Sequence, residues 1–152
     1  MATPLPSLHL SVPSHAALGA VIVSRVLAID PGDVHIGLAI SDETQSIARP
    51  LSVLPHRSRA RDVEAIMELA DEHGSSVIVV GVPYDMNGEI GPQARKALRL
   101  AEALRAAGAV TVDTWDESGS TSQARQIRRS SNELDARAAA VILQEYLDAK
   151  MD

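Results

Sequence analysis

Apolar residues change their spacing along the chain, and each change marks an element. Val26-Leu27-Ala28-Ile29 is a continuous apolar run that ends on one carboxylate, Asp30; Pro31 and Gly32 follow, and a second run, Ile36 to Ile40, leads away past Gly37. Two such runs around a turn-forming pair predict a β-hairpin, with strands at about 22–30 and 36–42, that presents Asp30 at a strand end. A third strand, antiparallel to the second, is expected near residues 47–54, where Pro50 and Pro55 mark an edge or a ragged end.

Beyond it the period changes from about two to 3.6. Val63, Ile66, Met67 and Ala70 lie at i, i+3, i+4 and i+7, the apolar stripe of an amphipathic helix that His73 and Gly74 terminate. Val77-Ile78-Val79-Val80 has no alternation, as in a strand covered on both faces in a parallel sheet. A loop from Gly81 to Gly88 leads to a helix that Pro92 suits at its first turn, with Ala94, Ala97, Leu98, Ala101 and Leu104 on its apolar side. Gly108 stops it, and Val110 to Trp115 forms a fifth strand ending at Asp116 and Glu117. After a polar stretch a last helix runs from about Glu133 to Ala149 behind Asn132. The order predicts an α/β fold with a mixed five-stranded sheet, three antiparallel strands then two parallel ones, flanked by helices, whose parallel strands present their carboxyl ends as the site edge.

Residues 1–20 carry Pro4, Pro6 and Pro13 without a basic n-region or helical periodicity, and read as a mobile extension before a single domain over 21–150. The apolar segment from Ala16 to Ile29 is broken by Ser24 and Arg25 and is too short to span a membrane. With no cysteine, thiolate catalysis, Cys-based zinc sites and a disulfide framework are excluded, and a reducing cytoplasm is the expected compartment. Fourteen basic against twenty acidic residues give a net charge of −6, which argues against a protein that coats nucleic acid by bulk charge. One Trp, two Tyr and no Phe are too few rings for a row of base-stacking platforms.

The carboxylates carry the chemistry. Asp135 shares a helical stripe with Ala139, Ile142 and Tyr146, and so is expected on the face turned to the sheet. A carboxylate there must be paired, hydrogen-bonded or bound to a metal; the same residue also suits a first-turn helix carboxylate, and spacing leaves both readings open. Asp116 and Glu117 could cap a following helix, and Asp-Pro-Gly is a common turn. Convergence of Asp30, Glu117 and Asp135 on one edge would give hard oxygen ligands suited to Mg²⁺ or Mn²⁺. Two such ions about 3.5–4 Å apart support phosphodiester hydrolysis. Among the rings, Tyr84 is the candidate for substrate contact, and Gly32 would let a phosphate approach the backbone. His56 and His73 read as loop or helix-end residues, and His35 as a solvated turn histidine. The basic residues form three groups: Arg57, Arg59 and Arg61; Arg95, Lys96 and Arg99; Arg125, Arg128 and Arg129. Most read as solvated faces, with the last group best placed to hold phosphate.

Four motifs in order resemble the YqgF/RuvX family: Val26 to Ser41 with Asp30, Gly32 and Gly37; Val79-Val80-Gly81-Val82-Pro83 with Met86 and Gly88; Asp116-Glu117; and Asp135 with Ala138, Ala139, Ile142, Leu143 and Gln144. The resemblance covers about residues 25 to 148. It implies an RNase H-like fold and a metal-dependent endonuclease acting on structured nucleic acid, as a Holliday junction resolvase, a nuclease maturing the 5′ end of pre-16S rRNA, or both. By position it makes Asp30, Glu117 and Asp135 the catalytic metal ligands of Mg²⁺ or Mn²⁺, with Asp116 in support. Gly32, Tyr84, Arg95, Arg125, Arg128 and Arg129 become candidates for nucleic-acid contact. Two departures stand out: Ser118 replaces a family arginine, and Pro31 to His35 replaces a turn that ordinarily carries one. Resolvase action needs two nicks on opposite strands, so a homodimer is expected. The alternatives are a module of the same fold that binds nucleic acid or protein without catalysis and, less favoured, a sugar kinase or ATPase, for which a nucleotide-closing second domain is missing.

Overall fold

The computed structural model describes residues 24–109, 111–117 and 132–151, with the backbone alone at 132–135. The expected extension over residues 1–20 and the basic group Arg125, Arg128 and Arg129 lie outside the described residues. The chain runs β1 (Arg25–Pro31), β2 (His35–Ser41), β3 (Ala48–Pro55), α1 (Arg59–Glu72), β4 (Ser75–Val82), α2 (Pro92–Ala106), β5 (Thr111–Asp116) and α3 (Asn132–Met151). The sheet order is β3-β2-β1-β4-β5. β2 is antiparallel to β1 and β3, whereas β4 runs parallel to both β1 and β5. This is the order of three antiparallel and two parallel strands that the spacing predicts.

Period-two alternation sorts the strand residues between two apolar layers. Leu27, Ile29, Ile78, Val80, Val82 and Val112 join one core with residues of α1 and α2. Val26, Ala28, Ala39 and Val79 join another with Ala139, Leu143, Tyr146 and Leu147 of α3. Small side chains at Ala28, Ala39 and Ala139 let α3 lie close over the centre of the sheet.

The helix ends follow local rules. At the start of α1 the Ser58 hydroxyl accepts the Arg61 N–H at 3.2 Å. Gly74, just past its end, takes φ 66°, a conformation that residues with a Cβ adopt reluctantly. None of the described helices is long and apolar enough to cross a membrane.

Toward its carboxyl end α3 is tied to both outer strands. Gln144 donates to the Ser46 carbonyl at 2.9 Å and accepts the Ala48 N–H at 2.9 Å. On the other side the Tyr146 hydroxyl donates to the Asp113 carboxylate of β5, and the Tyr146 ring meets Trp115 edge-on at 5.8 Å. Burial and the Asp113 carboxylate raise the Tyr146 hydroxyl well above its ordinary range. Such a group contributes stability that is complete below the unfolded-state value of about 10 and declines as pH rises above it. Tyr146→Phe is expected to lose about 0.5–1.5 kcal/mol at neutral pH and to flatten the alkaline decline, both read from urea titrations across pH.

Candidate active site

The site lies where the three parallel strands end. Asp30 continues the β1 face of Val26 and Ala28, which is the α3 face. Because Ile29 is level with Val80, and Gly81 with Trp115, the ends of β1, β4 and β5 come together at one edge. Glu117 follows β5 directly and continues the alternation of Asp113 and Trp115, both turned to α3. Asp30 is 2% exposed and Glu117 5%, so both carboxylates are withdrawn from water.

The reach of Glu117 is defined by what lies under it. A Cβ placed on Gly81 would stand 2.8 Å from Glu117 Oε2 and 3.1 Å from Ile142 Cδ1. The Glu117 carboxylate therefore extends over the neighbouring strand β4, in the direction of β1, and beneath α3. Gly81 is the residue that sequence reasoning missed. The spacing starts a loop at Gly81, whereas β4 continues to Val82, and a glycine inside an apolar strand marks a close approach to the backbone.

The last helix points toward the same edge. Ile142 lies over Gly81, while Gln144 and Tyr146 contact residues toward the opposite ends of the sheet. The helix therefore runs from the carboxyl edge inward. Position 135 lies seven residues, about two turns, before Ile142, on the stripe of Ala139, Ile142 and Tyr146, all buried. The Asp135 side chain lies outside the described residues. Among those that are described, no three His, Cys, Asp or Glu side chains form a metal-holding group.

The remaining candidates are spread more widely. Asp116 ends β5, level with Val82, and is exposed. Tyr84 is half-buried and its ring packs on the core shared with α1 and α2. Arg95 is exposed on α2. At Gly32 a Cβ would collide with the His35 carbonyl, so the tight turn itself requires glycine there. That turn is anchored to α2: Asp33 accepts Gln93 Nε2 at 2.9 Å and Lys96 Nζ at 3.1 Å, bonds that hold its carboxyl below the usual range.

Gly81→Ala is expected to cost about 1–3 kcal/mol, because both neighbours in its way are packed. In a Glu117→Ala background the same change costs less, since one obstruction is gone. An equal cost in both backgrounds, by urea titration, would show that the carboxylate does not lie over Gly81.

Comparison with known proteins identifies the family and the fold. The family described as "RuvX: Holliday junction resolvase" matches residues 24–149. A Thermoanaerobacter pseudethanolicus protein named "Putative pre-16S rRNA nuclease" is 35% identical over 135 residues, covering 83% of this chain and 97% of its own. One of the same name from Anaeromyxobacter sp. (strain K) is 40% identical over 134 residues, covering 83% and 98%. Among solved structures, Thermus thermophilus RuvC in complex with a Holliday junction substrate superposes with a TM-score of 0.53 at 18% identity, over 84% of this chain and 96% of that one. The fowlpox virus resolvase bound to junction DNA does so with 0.56 at 8% identity, over 84% and 99%. At such identities the two structures speak to fold alone, and the fold is the RNase H-like one expected. With the family match spanning nearly all described residues, the chain belongs to the RuvX family.

Proposed function

We propose that this protein is a Mg²⁺- or Mn²⁺-dependent endonuclease that hydrolyses phosphodiester bonds in structured nucleic acid, with Asp30, Glu117 and Asp135 as the metal ligands. The observation that carries this reading is the burial of Asp30 and Glu117 at one sheet edge, on the face toward whose open end α3 carries position 135. Relatives named for pre-16S rRNA and a family described as junction resolvases support the nuclease class.

The donor chemistry fits these ions. Carboxylate oxygens, with no Cys anywhere in the chain, suit hard divalent cations over zinc or copper. Two carboxylates held in near-dry surroundings favour a ligand that offsets their charge. When bound, the ion supplies Lewis acidity, both to activate water and to stabilise charge on the departing oxygen.

The rest falls to the chain's own residues. Asp30 is held by a hairpin whose turn is fixed to α2, which limits its motion relative to the sheet. Glu117 is positioned by the clearance over Gly81 and by Ile142 above. Asp116, exposed beside it, supports the ligand set from its rim. A polyanionic substrate approaching a protein of net charge −6 needs local cations, for which Arg95 and the 125–129 arginines are candidates. Tyr84 and Gly32 complete the proposed contacts with the strand. Paired nicks on a four-way junction would come from a homodimer with two such sites related by symmetry.

Asp30→Asn keeps the size of the side chain and removes its charge. It is expected to abolish cleavage of a four-way DNA junction or a precursor of 16S rRNA, whichever the wild type cuts, while binding persists. The assay compares both substrates with Mg²⁺ and with Mn²⁺. Full activity of the Asp30→Asn protein would remove the assignment, and cleavage of the RNA alone would fix the processing role.

A further inference from the structure

On the sheet face opposite α3, a cleft of about 260 Å³ opens between the β1–β2 turn, the start of α1 and the exposed side of α2. It begins at Pro31, the residue after Asp30, so the two sites share the tip of β1. The fold brings together here two basic groups that lie far apart in the sequence: Arg59 from the first, Lys96 and Arg99 from the second.

The charges in the cleft do not cancel. Three full cations face two carboxylates, Asp33 and Asp62, in a protein whose net charge is −6. Asp33 is taken up by Lys96 at 3.1 Å. Asp62, 5% exposed, accepts the Arg57 N–H at 3.0 Å and lies 2.5 Å from His56 Nδ1. Among the described residues, Arg59 and Arg99 are in no ion pair. His56 is thus oriented by a buried carboxylate, with its second ring nitrogen left to meet a ligand.

We infer that this cleft binds a phosphate group. Arginine forks match the oxygens of a phosphate, and His56, its Nδ1–H directed to the buried Asp62, adds a second N–H donor from Nε2 as the imidazolium. At about 260 Å³ the space falls below the usual range for a whole organic cofactor, so the charged group itself is the ligand. The favoured source rests on the nuclease reading above: a strand with its scissile phosphate at Asp30 and Glu117 passes over the tip of β1 and seats a neighbouring phosphate among Arg59, His56 and Arg99. A free phosphate or mononucleotide offers the same chemistry, and the test separates the two.

Potassium phosphate is titrated against potassium chloride of equal ionic strength while the imidazole resonances are followed by NMR, with His56→Gln identifying the His56 signal. Binding of a labelled four-way junction is measured by anisotropy over a range of salt. The expected result is a saturable shift of His56 with phosphate only, abolished in the Arg59→Ala/Arg99→Ala protein. In that variant the slope of log K against log salt falls by about 0.9 for one lost phosphate contact. A His56 shift with an unchanged slope upholds the site and assigns it to free phosphate or a mononucleotide. No His56 response in the wild type overturns the inference, whatever the slope. A wild type that binds neither the junction nor a 16S rRNA precursor yet shifts at His56 would sink the nuclease reading and leave the cleft standing.

Discussion

Two carboxylates held out of water at neighbouring strand ends are the constraint around which this molecule is arranged. Withdrawing each from solvent costs several kcal/mol unless donors or a cation meet it, and Asp30 and Glu117 are withdrawn at the same edge. Parallel pairing through β4 fixes how far apart their backbones stand. Gly81 clears the space that the Glu117 side chain occupies, and α3 roofs it. Each of these features would be unnecessary around a solvated acidic pair.

The two faces of the sheet are built differently. Toward α1 and α2 the layer is thick, with Leu27, Ile29, Leu38, Ile40 and Ile66 filling it. Toward α3 it is thin, resting on alanines. A thin layer brings a helix close to the strands, and side chains near its leading end come within reach of the strand tips. The thick layer carries most of the apolar burial, leaving the α3 side to hold polar groups in place.

Much of this was readable from the residues. The apolar runs around Pro31-Gly32 gave β1 and β2, the 3.6-residue stripes gave all three helices, and the uninterrupted Val77–Val80 run gave a central parallel strand. The stripe through Ala139, Ile142 and Tyr146 gave the buried face of α3. What was not readable depends on contacts between distant segments. Gly81 matters only because Glu117, thirty-six residues on, extends over it. Arg59 and Arg99 read as solvated faces and are exposed, but nothing local says that α1 and α2 bring them together beside the hairpin turn. His56 lies in the loop its position predicts, between β3 and α1, but nothing local says that Asp62, one turn into α1, engages it. Charge pairing across elements has no periodic signature, whereas burial does.

The outer edge of β3 has a consequence for self-association. Pro50 and Pro55 offer no N–H, and the N–H of Ala48 is already taken by Gln144. An open strand edge ordinarily invites another chain to add a sixth strand and so to grow a fibril. Here the template is interrupted near both ends, so the sheet resists addition of a further strand on that side.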